Sequence, residues 1–98
     1  MNRYSDFEIK TFVGYVAKDA DITYYESGSC KATFSLPLKK NKNDEPVWLS
    51  VEAWKELAEK VSEEVKKGRR VAVSGFLKTN EYNNKEYIIL SLESFKVL

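Results

Sequence analysis

A chain of 98 residues with 43% hydrophobic side chains has enough material for one packed core and none for a second, so residues 1–98 are read as a single domain. A formal net charge of +1 casts almost no long-range field, and a polyanionic partner would have to be met by locally arranged lysines. Histidine is absent and Cys30 is the sole cysteine, which removes the commonest general base, any internal disulfide and a zinc site; neither a cofactor nor an enzymatic activity is expected.

The N-terminus "MNRYSDFEIK" lacks signal-peptide character, and no apolar run approaches the roughly 20 residues of a membrane span. A cytoplasmic protein with no membrane partner is expected, and a reducing cytosol suits Cys30 as a small space-filling side chain. Residues 7–17, "FEIKTFVGYVA", have strand character, with Gly14 as a bulge or bend. "YYESGSCK" reads as a hairpin connection around Gly28. Ala32, Phe34, Leu36 and Leu38 then alternate with Lys31, Thr33, Ser35 and Pro37, the pattern of a half-buried second strand. After the polar loop "KKNKNDEP", the stretch "PVWLSVEAW" forms strand three. Val47, Leu49, Val51 and Ala53 face its core side, and Trp48, Ser50, Glu52 and Trp54 face outward.

Helical periodicity is confined to "WKELAEKVSEEVKKG", where Leu57, Ala58, Val61 and Val65 make one apolar stripe. Glu56, Glu59, Glu63 and Glu64 are then a solvated helix face rather than catalysts. Lys66 and Lys67 suit the last turn, and Gly68 suits the C-terminal cap. Strand four is "RRVAVSGFLKT", "NEYNNKE" is a hairpin loop, and "YIILSLESFKVL" is strand five. The alternation of strand five slips near Ser94, which calls for a bulge. The order β-β-β-α-β-β describes an all-β domain with a small α contribution: a five-stranded Greek-key barrel of the OB type, one helix between strands three and four. Gly14 and Gly75 let its strands turn corners.

The only two tryptophans share the outward row of one strand. Trp54, where strand three meets the helix, either plugs one barrel end or faces a ligand. Trp48 lies between two inward-facing residues, so its ring needs a partner subunit or a ligand to cover it. Unpaired nucleobases are one such ligand, because rigid exposed rings on a firm strand stack bases of any sequence, each contributing roughly 1–3 kcal/mol. Ser50 leaves room between the rings; Glu52 has the wrong charge for a phosphate chain. Lys39, Lys40 and Lys42 in the loop before strand three, and Lys78, Tyr82 and Lys85 around the last hairpin, flank the face that OB barrels use for ligands.

These stretches resemble the bacterial single-stranded DNA-binding proteins over nearly the whole chain. "FVGYVAKDADITYYESGSCKATFSL" is similar to that family's opening strand and hairpin, and "VWLSVEAWKELAEKVSEEVKKGRRVAVSGFLKT" to its aromatic strand, helix, Lys-Gly turn and following strand. The resemblance implies sequence-tolerant binding of single-stranded DNA in replication, recombination and repair, usually as a homotetramer, in a bacterial cytoplasm or nucleoid. It implies stacking roles for Trp48, Trp54 and Tyr82 and basic contacts from Lys66, Lys67 and Lys78. Departures are equally specific. A family tryptophan in the loop after strand two is replaced near Lys42, Ser50 and Asn80 stand where some relatives carry arginine, and the long hairpin is expected to be short. The chain stops at Leu98 without the family's Gly/Pro-rich linker and acidic tip, which implies a shortened form or a minimal member without that means of recruiting partner enzymes. Two other readings stay open, a dimeric primosomal adaptor for replication restart and a protein-interaction OB module. RNA is not distinguished from DNA, since stacking ignores the sugar.

Overall fold

Period-two hydrophobicity organises nearly everything in the computed structural model, which describes residues 9–38, 47–82 and 85–98, the strand ends 80–82 and 85–87 by backbone only. The elements are β1 (Lys10–Tyr15), β2 (Asp21–Tyr24), β3 (Cys30–Leu38), β4 (Val47–Trp54), α1 (Lys55–Glu64), β5 (Arg70–Tyr82) and β6 (Lys85–Val97). They make one sheet in the order β1-β5-β6-β4-β3-β2. Every pairing is antiparallel except that of β4 with β6. This is the OB arrangement, with the helix between the third and fourth long strands.

There are six strands rather than five because Asp21–Tyr24, beyond the first strand expected at 7–17, pairs as a strand of its own. The ladder to β5 ends at Tyr15, and pairing to β3 begins at Asp21. The sheet is therefore not closed by hydrogen bonds. Its two edge strands are consecutive in the chain, and the covalent segment Val16–Ala20 bridges them. That segment takes its backbone partners from the turn after α1: Val16 N–H donates to the Arg69 carbonyl at 2.9 Å, and Gly68 N–H donates to the Val16 carbonyl at 2.8 Å. The Lys67 N–H donates to Asp19 Oδ1 at 2.8 Å. Both backbone groups of Val16, released from the ladder, are thereby satisfied.

The core lies between the curled sheet and α1. Leu36, Leu49, Val51, Val71, Val73 and Leu90 fill the barrel, and the helix seals one end with Ala58, Val61 and the following Val65, all fully buried. The helix is shorter than its sequence pattern. It ends at Glu64, and Val65 is already extended, with φ −89° and ψ 100°. Lys66 and Lys67 thus lie in the connecting turn, not in the last helical turn, and Gly68 lies in that turn as well, at φ 87°.

Two details of the last hairpin follow from sequence in different ways. The phase slip near Ser94 is a bulge: Ser74 pairs with Ser94, the next pair is Gly75 with Leu92, and Glu93 is left over. Gly75 is required there, since a Cβ would run into the Ser91 carbonyl of β6. By contrast, the segment expected as a loop is largely strand, with pairing continuing to Tyr82 opposite Lys85.

Candidate nucleic-acid interface

Strand β4 keeps the expected phase. Leu49, Val51 and Ala53 are buried, while the outward Trp48 and Trp54 expose 50% and 46% of their surface; Val47, at the strand's start, is exposed as well. Trp54 therefore does not plug the barrel end. The two indoles are six positions apart, about 20 Å along the strand at roughly 3.3 Å per residue. That spacing can seat several nucleotides but not one.

The Trp48 half of β4 opens onto a groove of about 550 Å³. Its lining includes Trp48, Ser50, Glu52, Thr33, Ser35 and Ile89, together with Asp19 and Asp21 from the segment around the β1–β2 break. Ser35 pairs with Ser50, Ser50 with Ile89, and Ile89 with Lys78, so these four form one cross-strand row. Lys78 thus stands on the same face as the groove, two strands from Ser50. Small hydroxyl residues keep the floor low beneath the indole. Glu52 lines the floor without an ion-pair partner among the described residues, whereas Asp21 has Lys18 Nζ 3.9 Å away.

The Trp54 half is built differently. Trp54 is the N-cap of α1 but offers no capping hydrogen bond, a position where Ser, Thr or Asp would stabilise the helix by about 1 kcal/mol. Lys55 then turns the corner at φ 59°, an uncommon left-handed conformation for a residue with a Cβ. The junction is steadied from below by the buried Cys30, whose thiol donates to the Lys55 carbonyl at 3.4 Å. Local helix-capping preference is set aside at this junction. Above the junction, Tyr25 stacks on Trp54 with ring centroids 6.2 Å apart and planes 23° from parallel. Lys31 places Nζ 5.4 Å from the same indole centroid.

Of the basic residues expected at the interface, Lys78 shares the groove's face. Lys67 reaches its rim through the backbone bond to Asp19. Lys66 lies elsewhere, in a hollow with Glu63, Glu64, Arg69 and Val97, none of which lines the Trp48 groove. Lys39, Lys40 and Lys42 lie outside the described residues. For Tyr82 and Lys85 the backbone places both at the far end of the β5–β6 ladder, opposite one another, and their side chains lie outside the described set. Tyr25 and Lys31 were missed by sequence reasoning. The β3–β4 pairing Lys31↔Trp54 would have exposed the second of them, whereas the first depends on the β2–β3 hairpin and stays hidden until β2 is recognised.

A family model described as the single-strand binding protein family matches residues 9–88. The chain belongs to this family. Single-stranded DNA-binding protein 1 of Nostoc sp. (strain PCC 7120) is 39% identical over 79 residues, covering 80% of this chain and 66% of that protein. The single-strand binding family member described here thus spans just under two thirds of that curated relative's length. Among solved structures, the SSB domain of a Synechococcus sp. protein superposes with a TM-score of 0.76 at 15% identity, covering 95% of this chain and 98% of the other. The second single-stranded DNA-binding protein of Mycobacterium smegmatis gives 0.73 at 22% identity, covering 91% and 86%. At those identities the structural matches establish the shared fold.

Proposed function

We propose that this chain binds single-stranded DNA without sequence preference, laying bases on Trp48 and Trp54 and protecting the strand during replication, recombination and repair. The observation that carries the reading is a pair of half-exposed indoles on the outward row of β4, the strand whose opposite row is buried from Leu49 through Val51 to Ala53. A firm strand fixes the backbone beneath the rings before binding, and their spacing suits an extended chain of unpaired bases. Two stacks contribute roughly 2–6 kcal/mol per protomer, and a third at Tyr82 raises this to roughly 3–9. With three phosphates neutralised by residues such as Lys78, Lys39 and Lys40, the logarithmic salt slope is about −2, at roughly −0.7 per contact. Stacking then outweighs charge, in keeping with a net charge of +1. No cofactor enters this mechanism.

Residues 1–98 act in this reading as one OB unit working in a bacterial cytoplasm. Assembly into a homo-oligomer multiplies affinity through effective concentration along one strand. The outer face of the edge strand β1 supports such assembly, since Val13 and Tyr15 are 45% and 62% exposed there. The test of the whole reading is a titration of intrinsic tryptophan fluorescence with oligo(dT). Stacked bases quench indole emission strongly, and an unchanged signal at saturating oligonucleotide would refute it. Light scattering at micromolar concentration tests the assembly separately; a monomer there removes the oligomer and leaves DNA binding standing.

A further inference from the structure

Trp54 differs from Trp48 in having neighbours already on its ring, and the sheet register explains why. Thr23 pairs with Lys31 and Lys31 with Trp54, so the three form one outward cross-strand row. Tyr25 is the next outward position along the β2 side, two residues past Thr23. Its backbone is fixed by the hairpin turn: Tyr25 N–H donates to the Ser29 carbonyl at 2.9 Å, and Gly28 N–H donates to the Tyr25 carbonyl at 3.0 Å. Gly28 makes that turn possible at φ 90°, where a side chain would be strained. Trp54 on β4 and Tyr25 just past β2 lie on either side of β3, two spacings of about 4.8 Å apart, so the two rings meet by leaning toward one another across β3. The indole therefore points away from the Trp48 groove and toward the tip of the β2–β3 hairpin.

We infer that Tyr25 and Lys31 join Trp54 in a second nucleotide subsite at this hairpin tip, where the two rings offer one continuous aromatic surface to bases and Lys31 takes the adjoining phosphate. The inference rests on the single-stranded DNA reading and adds two binding residues to it. Centroids 6.2 Å apart with planes 23° from parallel describe an offset pair, in which neither ring covers the whole of the other. Their exposures of 46% and 41% leave surface on both for a base. Because the rings already support one another, little side-chain freedom is lost when a base arrives. Lys31 is half-buried beside the indole, with its ammonium 5.4 Å from the ring centroid. An ammonium held over the ring's negative face keeps donors for a phosphate oxygen, so a nucleotide stacked beside it meets ring and charge together.

The experiment is an oligo(dT) fluorescence titration of the 98-residue chain at several salt concentrations, on wild type, Y25A, Y25L, Y25F, K31A and K31R, with W48A as the reference for the DNA reading. Tyr25→Ala and Tyr25→Leu weaken binding about five- to tenfold, and Tyr25→Phe stays within about twofold, because the ring rather than the hydroxyl makes the contact. Lys31→Ala lowers the salt slope by about 0.7 and Lys31→Arg restores it. Thermal unfolding by circular dichroism checks that the variants fold; Tyr25→Leu keeps an apolar cover on Trp54 should Tyr25→Ala lose structure. If wild type itself gives no quench, the DNA reading falls and this inference with it. If wild type binds and W48A is weak, but the Tyr25 and Lys31 variants match wild type, the hairpin subsite alone is overturned. Tighter binding by Tyr25→Ala would also overturn it, since Tyr25 would then be competing with the base for the indole.

Discussion

The two ends of β4 present the same side chain in opposite settings. Trp48 stands over a groove floored by hydroxyls and carboxylates, with no ring or cation on it among the described residues. Trp54, at the start of α1, shares its ring with Tyr25 and Lys31. Equal exposure therefore conceals unequal availability. A ring with both contacts still to make gains more from a base than one already partly stacked, so the open end should dominate affinity and the crowded end should refine it. Trp48→Ala is expected to cost about 2 kcal/mol, near thirtyfold in Kd for oligo(dT) by fluorescence anisotropy. Lys39→Ala at moderate salt should cost less, and the reverse ranking would show that charge leads.

Trp54→Ala breaks the comparison from the other side. Its expected cost is about 1 kcal/mol, because Tyr25 remains to receive part of the base. Stability adds a second readout. Trp54→Ser supplies the missing helix cap, worth about 1 kcal/mol, while removing ring contacts of similar size. Its unfolding free energy should stay within about 1 kcal/mol of wild type even as binding falls. An equal or larger binding loss than Trp48→Ala would show that the crowded end is the main platform.

What the sequence made legible at these two ends also differs, for a physical reason. The inward row Leu49, Val51 and Ala53 and the outward pair of indoles follow from strict alternation, a local property, and the structure keeps that phase. The bulge at Glu93 is legible for the same cause, because a phase slip leaves its mark on the pattern. The break at Val16–Ala20 leaves no such mark. It exists because the turn after α1 supplies hydrogen bonds from about fifty residues away, through Arg69, Gly68 and Lys67. The four-residue β2 is hidden for a related reason: it opens on Asp21 and runs straight into the turn around Gly28, too short for alternation to show, and only the ladder to β3 makes it a strand. Without β2 there is no register for the hairpin, and Tyr25 remains an anonymous turn residue. The polar run at 80–86 was misread because low strand propensity is overridden once a long antiparallel ladder is established.

Asp19 links the Trp48 groove to the barrel's covalent closure. Its carboxylate accepts the Lys67 N–H at 2.8 Å while the residue lines the groove. Asp19→Ala should lower unfolding stability by about 1 kcal/mol, below the roughly 1.5–3 kcal/mol of a charged hydrogen bond because the site is exposed. Binding should not weaken in the surviving folded fraction, since a negative charge leaves the groove. A drop in affinity without loss of stability would mean that Asp19 holds the DNA-facing surface rather than the barrel.

Glu52 gives the finest discrimination between the two ends. It lines the groove near Trp48 and has no ion-pair partner among the described residues. A phosphate passing about 6 Å from its carboxylate meets a repulsion of about 0.7 kcal/mol at bulk dielectric, before salt screening reduces it. Glu52→Gln keeps the shape and removes the charge, so it should tighten oligo(dT) binding about twofold in low salt, with the gain vanishing as salt rises toward about 1 M. The effect should disappear in a Trp48→Ala background if the strand reaches Glu52 only by stacking on Trp48, and persist unchanged in Tyr25→Ala. Equal gains in both backgrounds would place the phosphate path along the whole of β4, making its two ends one continuous surface rather than two subsites.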